Sequence, residues 1–319
     1  MFKWKKLGKI FDPTKITNKS WMQEFAQAPV TLIFDDFVRV YFSCRSRRDS
    51  NGNYMSYSAY IDLNRYNLFD ILKVAEQPIL KPGKLGTFDE FGTYPVTVIR
   101  DKNSILVYYA GWTRCESVPF NTAIGIAISH DNGNTFEKIG DGPILSYSPD
   151  EPFILSGPKI RKFNNQFCLW YIAGQKWIIA NGKPEMCTKI RMATSDDGIN
   201  WIKQYRNIIS DKLGNDEAQA SPDVIYTNKK YHMFFCYWNP NEFRKTQFRR
   251  IGYGVSKDMF NWKRYDTKVG IDVSNKGWDS EMIAYPHVFE LDGECYMLYL
   301  GNEVGRYGFG LAQLEGKLE

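Results

Sequence analysis

The sequence predicts an all-β chain folded as a five-bladed β-propeller with four antiparallel strands per blade, and three observations predict it. Five prolines, Pro29, Pro95, Pro158, Pro222 and Pro286, stand 66, 63, 64 and 64 residues apart. Each opens a strand-like run that leads about thirteen residues on to an aromatic pair or its near equivalent: PVTLIFDDFVRVYF, PVTVIRDKNSILVYY, PKIRKFNNQFCLWY, PDVIYTNKKYHMFF and PHVFELDGECYMLY. The residues left over, 28 before Pro29 and 33 after Pro286, make together nearly one further period. A period of this length in all-β units is the mark of a propeller. Aromatic residues, 16% of the chain, favour strands, and no long stretch has helical apolar periodicity.

Taken in order, Lys3 to Phe11 reads as a strand ahead of the first repeat. It is predicted to complete the last blade, which has residues enough for only three strands, and so to close the ring and remove exposed sheet edges. From each proline the pattern is strand, short polar turn, strand, long loop, strand, short turn, strand. The first turns are Asp35-Asp36, Asp101 to Ser104, Asn164-Asn165, Thr227 to Lys230 and Leu291 to Gly293, all compact hairpin signals. The third strands are TAIGIAIS ending at Ser129, TKIRMATS at Ser195, RIGYGVS at Ser256 and YGFGLA near the C-terminus. One propeller domain over residues 1–319 is the expected organisation.

Composition excludes several function classes. A formal charge of +5 is slight for 319 residues and gives no reason to expect nucleic acid. No run of 18 apolar residues occurs, and MFKWKKLGKIF lacks an apolar core for a signal peptide. Of six cysteines, Cys44, Cys168, Cys236 and Cys295 fall in or beside a second strand as small core residues. There is no Cys-x-x-Cys pair and the three histidines are scattered. The expectation is a cytoplasmic, reduced protein with no structural zinc and no cofactor, the central channel near His287 being the one candidate place for a divalent ion.

Strand parity puts the long second connections and the links between blades on one face, as a mouth where loops on a rigid scaffold carry function. Four links place a glutamate five residues before the proline: Glu24, Glu90, Glu217 and Glu281. The other has Phe153 there, with Asp150 and Glu151 just before it, and Asp89, Asp216 and Asp279 accompany three of the glutamates. Carboxylates around a concavity are the material of glycoside chemistry, one protonating the leaving oxygen and another acting as base or nucleophile. The candidate catalytic acids are therefore Glu24, Asp89, Glu90, Glu217 and Glu281. An acid kept at one position of a repeat also has a purely structural use, accepting backbone N–H groups.

The second connections add cations, Arg45, Arg47 and Arg48, then Arg114, Lys176, Arg244 with Lys245, and Arg306. Arginine grips carboxylate or phosphate in a two-pronged hydrogen bond, so acids with arginines suit an anionic sugar, a sugar phosphate or free phosphate. Trp112, Trp177, Trp238 and Trp278 lie in the same loops and suit stacking on sugar rings or packing between blades. The candidate substrate-binding residues are Arg47, Trp112, Arg114, Lys159, Trp177, Asp223, Arg244 and His287, and the expected partner is a carbohydrate or sugar phosphate. Ser129 to Phe136 fits the Asp-box pattern S-x-D-x-G-x-T-[WF], with shorter versions at Ser195 to Trp201 and Ser256 to Trp262. By parity these turns face away from the mouth, and their Asp and Ser side chains are expected to bond their own backbone.

The proline at each inner strand and the D-G-x-x-W-like outer turns resemble the five-bladed propeller superfamily of glycoside hydrolases. That group includes arabinanase and xylosidase-like enzymes, invertase-like enzymes and mannoside phosphorylases. The chain is most similar to "predicted glycosylase" proteins of bacterial surface-polysaccharide clusters. In that superfamily the catalytic acids sit beside the inner-strand proline, as in E-G-P or E-C-P-D. Here Ser156-Gly157-Pro158-Lys159 and Ala220-Ser221-Pro222-Asp223 have the shape of those motifs with the acid replaced, so any acid must come from the earlier glutamates or Asp223. Three functions follow as expectations: a glycosidase or phosphorylase acting on a bacterial glycan, a transferase using an activated sugar donor, or a non-catalytic glycan-binding propeller. A phosphorylase needs only one protein acid because phosphate is the nucleophile.

Overall fold

The computed structural model describes residues 2–242 and 248–318. Strand β1 (Lys3–Phe11) comes first. Blade 1 contains β2 (Glu24–Ile33), β3 (Phe37–Arg45), β4 (Ser56–Asn64) and β5 (Asn67–Val74), and blade 2 contains β6 (Thr93–Asp101), β7 (Ser104–Thr113), β8 (Asn121–Ser129) and β9 (Glu137–Lys138). Blade 3 contains β10 (Leu155–Phe163), β11 (Gln166–Ala180), β12 (Lys183–Ser195) and β13 (Ile202–Lys203). Blade 4 contains β14 (Ala218–Thr227), β15 (Lys230–Trp238), β16 (Arg250–Ser256) and β17 (Trp262–Arg264). Blade 5 has β18 (Ala284–Leu291), β19 (Glu294–Leu300) and β20 (Phe309–Glu315), and β1 pairs antiparallel with β20 as its fourth strand. The ring thus closes as the sequence predicts.

Every inner strand bulges at its proline. The ladder skips between Gln27 and Val30, Thr93 and Val96, Ser156 and Lys159, Ala220 and Asp223, and Ala284 and His287. Proline has no N–H to give a ladder, so a bulge at that position sacrifices no hydrogen bond. In four blades the residue before it is left-handed: Ala28 (φ 51°), Gly157 (59°), Ser221 (51°) and Tyr285 (53°). In blade 2 the Tyr94–Pro95 peptide is cis. The bulge turns each inner strand so that this residue lies at the bottom of the mouth.

The aromatic pair of each second strand fills the gaps between blades. Consecutive strand residues point to opposite faces, so one pair serves two neighbours. Tyr41 and Phe42, Tyr108 and Tyr109, Trp170 and Tyr171, and Phe234 and Phe235 are all buried, as are Leu298 and Tyr299. Tyr41 Oη donates to the Gly133 carbonyl at 2.8 Å and Tyr108 Oη to Gly198 at 3.0 Å, so the tyrosine of one blade reaches the Asp-box turn of the next. A Cβ at Gly133 or Gly198 would meet those hydroxyls at 2.2 and 2.6 Å. The Asp boxes are internally bonded: Asp131 accepts from Ser129, Thr135 and the Thr135 N–H, and Asp197 and Asp258 repeat the arrangement.

One stretch departs from the expected pattern. The third blade's second connection, expected as a loop, continues β11 and β12 into a two-stranded ribbon with partners from Lys176↔Cys187 to Ala180↔Lys183. Its tip is Asn181-Gly182, both left-handed (φ 52° and 75°), the geometry that a two-residue hairpin turn requires. Trp177, Ile178 and Ile179 favour the strand.

Candidate functional site

The mouth is a cavity of about 500 Å³ between the inner strands of all five blades and the second connections of blades 2 to 5. At its floor, Tyr94 Oη and Tyr285 Oη are 2.6 Å apart and span the head of the central channel. One wall is aromatic. The Trp112 ring lies 5.7 Å from Tyr94 and 4.2 Å from Phe120, and Phe120 stands edge-on to Trp177 at 5.6 Å. Trp112 Nε1 donates to the Tyr94 carbonyl at 2.6 Å, which fixes that ring.

Among the described residues three guanidinium groups line the cavity, each held on an aromatic face. Arg45 lies 4.5 Å over Phe25, 5.2 Å over Tyr54 and 5.6 Å over Tyr94, and donates to Gln27 Oε1 at 3.3 Å. It makes no ion pair among the described residues, and burial lowers its pKa. Arg249 lies 3.9 Å over Trp238 and 5.9 Å from the Tyr285 centroid. Arg306 is 3.4 Å from Glu24 and 3.2 Å from Glu303, with its face 5.4 Å over Phe25. Among the described residues only two carboxylates line the cavity, Glu185 and Glu303. Glu303 and Val304 are both left-handed (φ 54° and 56°), and the Val304 carbonyl accepts from the buried Gln27 amide at 2.6 Å. That bond pins the short loop bearing Glu303 to the floor.

The predicted acids are placed apart from this cavity. Asp89 is buried and takes hydrogen bonds from Tyr109 (3.1 Å) and Thr87 (3.0 Å) and an ion pair from Lys138 (2.5 Å). Glu217 is buried and bonded to Arg264 (2.6 Å) and the N–H groups of Lys212 and Leu213. Glu151 and Asp279 repeat the device with Tyr171, Arg191 and Lys203, and with Tyr299 and Lys6. In blade 1 the charges are exchanged, Lys19 of the link meeting Glu76 beyond β5. An acid in the link, usually with a second-strand tyrosine and a fourth-strand cation, anchors each link to its blade. Burial beside a cation and hydrogen-bond donors is a structural use of those carboxylates. Glu90 accepts from the Gly86 N–H at 2.9 Å inside its own link, and Glu281 is exposed. Glu24 is at the rim, bonded to Tyr54 (2.8 Å) and paired with Arg306.

Of the predicted binding residues, Trp112 and Trp177 line the cavity. Arg114 is at its edge, over Phe91 at 4.2 Å and bonded to the Tyr54 carbonyl, while Arg47 is exposed. Arg244 is outside the described residues. Lys159, Asp223 and His287 sit below the floor in a belt that ties the ring together. The Thr31 N–H of blade 1 donates to His287 Nε2 at 2.9 Å, so Nδ1 holds the proton and donates it to Asp223 at 2.9 Å. Asp223 also accepts from Arg161 of blade 3 at 2.6 Å and from the Val288 N–H at 2.6 Å. Burial alone would raise the Asp223 pKa, but Arg161, Lys159 and His287 together hold it far below the usual range. This is the channel region considered for a divalent ion, yet among the described residues no three His, Cys, Asp or Glu side chains are grouped to hold one. No helix of the described residues is long and apolar enough to cross a membrane.

Sequence reasoning passed over Gln27, Tyr94 and Tyr285 and made nothing of Glu303. The signal was available for the first three, since each stands one or two places before an inner-strand proline, where the floor had to lie.

No protein-family model matches the chain. It is 36% identical over 315 residues, 98% of this chain and 99% of the other, to a Mycobacterium tuberculosis (strain H37Rv) protein called "Uncharacterized protein Rv1502". A weaker similarity, 27% over 178 residues, covers 52% of this chain and 54% of a beta-1,2-mannobiose phosphorylase of Thermoanaerobacter sp. (strain X514). Among solved structures, a glycoside hydrolase superposes with a TM-score of 0.77 at 16% identity over 98% of this chain and 92% of its own. A beta-1,2-mannobiose phosphorylase from Listeria innocua, in complex with beta-1,2-mannobiose, gives 0.71 at 12% identity over 99% and 96%. These likenesses establish the fold as the five-bladed propeller of glycoside hydrolases and phosphorylases.

Proposed function

We propose, for a chain that belongs to one family with Rv1502 of Mycobacterium tuberculosis, a carbohydrate-active enzyme that cleaves a glycosidic bond with inorganic phosphate. Arg45 carries the reading. A guanidinium that lines a sugar-sized aromatic cavity without a carboxylate partner is a receptor awaiting an anion. Hydrolysis by protein groups uses two facing carboxylates. Among the described residues the lining holds two, Glu185 on β12 and Glu303 after β19, so the choice of phosphorolysis rests on Arg45 and not on a missing acid. Phosphorolysis uses one. Phosphate attacks the anomeric carbon, the glycosidic C–O bond breaks, and the leaving oxygen takes a proton from the single acid.

Glu303 is our choice for that acid. It lines the cavity 3.2 Å from Arg306, the guanidinium beside which a phosphate would sit. A phosphate dianion held by Arg306 would stand next to the Glu303 carboxyl, so that nucleophile and acid meet at one end of the cavity. The Trp112, Phe120 and Trp177 wall is suited to stacking on the sugar. The phosphorylase likeness in sequence and fold supports the same choice.

The test uses leaving groups of different acidity. Glu303→Gln lowers kcat about 10²–10⁴-fold on an unactivated glycoside and leaves a nitrophenyl glycoside near the wild-type rate. Equal losses on both would remove Glu303 from the role. Turnover of a nucleotide sugar without phosphate would replace phosphorolysis by transfer from an activated donor.

A further inference from the structure

The face away from the mouth has a second, larger concavity of about 780 Å³, where blade 4 meets the outer end of blade 5. Lysines reach it from separate parts of the chain. Lys230 opens β15, Lys257 comes from the Asp-box turn, Lys263 from β17, Lys268 from the helical turn Asp266–Lys268, and Lys317 from beyond β20. None of the five makes an ion pair among the described residues. They equal in number the whole formal excess of +5.

Among the described residues the one carboxylate in the lining is already committed. Asp258 accepts from the Asn261 N–H (2.8 Å), the Asn261 amide (2.8 Å), the Phe260 N–H (2.9 Å) and Ser256 Oγ (3.0 Å). The neighbouring Asp266 is held by Arg264 at 2.8 Å. Five ammonium groups therefore repel one another around a groove with no free counter-charge among the described residues. Such an arrangement concentrates anions and gains by releasing small counter-ions when a polyanion replaces them.

We propose that this groove binds an anionic glycan chain, separately from the mouth. Carboxylate or phosphate groups pair with the lysines. One sugar ring lies against Tyr265, which stands half-exposed between Lys263 and Lys268 with their Nζ atoms 5.3 and 5.1 Å from its centroid. Phe2 and Tyr253 give the groove an apolar floor. The other rings of the lining are buried, so a single partly exposed ring is offered, whereas single-stranded nucleic acid stacks successive bases on several. A concavity also suits a chain better than a flat bilayer. The preference for a glycan rests on the carbohydrate reading of the mouth, and the groove then holds the polymer whose end the mouth works on.

The experiment is electrophoresis of the whole protein through native gels containing polygalacturonate, neutral dextran or neither, with a labelled single-stranded oligonucleotide as competitor. Polygalacturonate is expected to retard the protein, dextran is not, and the retardation fades steeply with salt. Lys263→Glu with Lys268→Glu weakens the apparent affinity at least tenfold while the melting temperature and turnover at the mouth are retained. Retardation unchanged in the double variant, or no retardation, overturns the site. An oligonucleotide that competes more tightly than polygalacturonate overturns the ligand. Binding is read without turnover, so Arg45→Ala keeps it, and failure of phosphorolysis is told apart from failure of the groove.

Discussion

A guanidinium partly withdrawn from water raises the free energy of the folded chain unless something returns the charge interaction, and Arg45, half-buried with its pKa lowered by burial, is in that condition. Arg45→Ala is therefore expected to leave thermal stability unchanged or raised and to weaken phosphate binding by at least tenfold, about 1.5–3 kcal/mol for a charged hydrogen bond. Calorimetric titration with phosphate checks both. Arg45→Lys does not restore the affinity, because the planar fork is lost.

The belt beneath the floor gives a pH dependence whose sign follows from its shifts. Burial, then Lys159, lowers the His287 pKa to about 3, so the folded state keeps the imidazole neutral while the unfolded chain protonates it below 6.5. Stability falls as pH drops from 6.5 toward 3, and the depressed Asp223 carboxyl adds to the loss at the acid end. Burial, with Arg161 adding to it, lowers Lys159 to about 8 from 10.5, so stability rises with pH through that window as the unfolded chain alone keeps the proton. Urea unfolding from pH 4 to 10 is expected to show both limbs. Lys159→Met removes the alkaline rise, and an unchanged rise would put the shift on another group. Sequence reading named these three residues as substrate-binding candidates, and the structure places them in the belt below the floor. They were assigned to substrate because nothing in a linear pattern tells which side of the proline bulge a side chain occupies.

The repeated bulge is the element that makes the mouth. Gly157 and Ala28 occupy the same left-handed place in two blades. A Cβ at Gly157 would meet nothing nearer than Ile172 at 3.4 Å, so the cost of Gly157→Ala comes from the backbone alone, about 1–2 kcal/mol. Ala28→Gly should relieve the same strain and stabilise by up to ~1 kcal/mol. Denaturant midpoints decide, and opposite signs would separate the bulge from its backbone geometry. The prolines, hairpin turns and third strands were legible because each has a local chemical reason. The ring of glutamates was legible as a repeat, but not its surroundings: the same periodicity that places Asp89, Glu217 and Asp279 also places the cations that pair with them. Those cations lie on the fourth strands, the shortest and least patterned, and in blade 5 on β1, at the other end of the sequence.

At the scale of the whole molecule, β1 closes the ring with buried Trp4 and Phe11 and the Lys6–Asp279 pair. Trp4→Ala is expected to cost about 3–5 kcal/mol. Removing residues 2–11 would bare the edge of β20 and should give a chain that aggregates, as gel filtration would show. Closure matters for function because a mouth assembled from all five blades has its geometry only when the ring is complete. The expected fold, its closure and the face that bears the mouth could all be read from spacing and parity. The identity of the working residues could not, because they come from five blades and meet only in space.

The most direct measurement is phosphate release from a panel of hexose 1-phosphates incubated with sugar acceptors, the reverse of the proposed reaction. One donor–acceptor pair is expected to release phosphate and form a disaccharide, with the activity lost in Glu303→Gln and Arg45→Ala. If the protein instead cleaves a glycan in phosphate-free buffer as fast as with phosphate present, phosphorolysis is contradicted and the arginines of the mouth serve another anion.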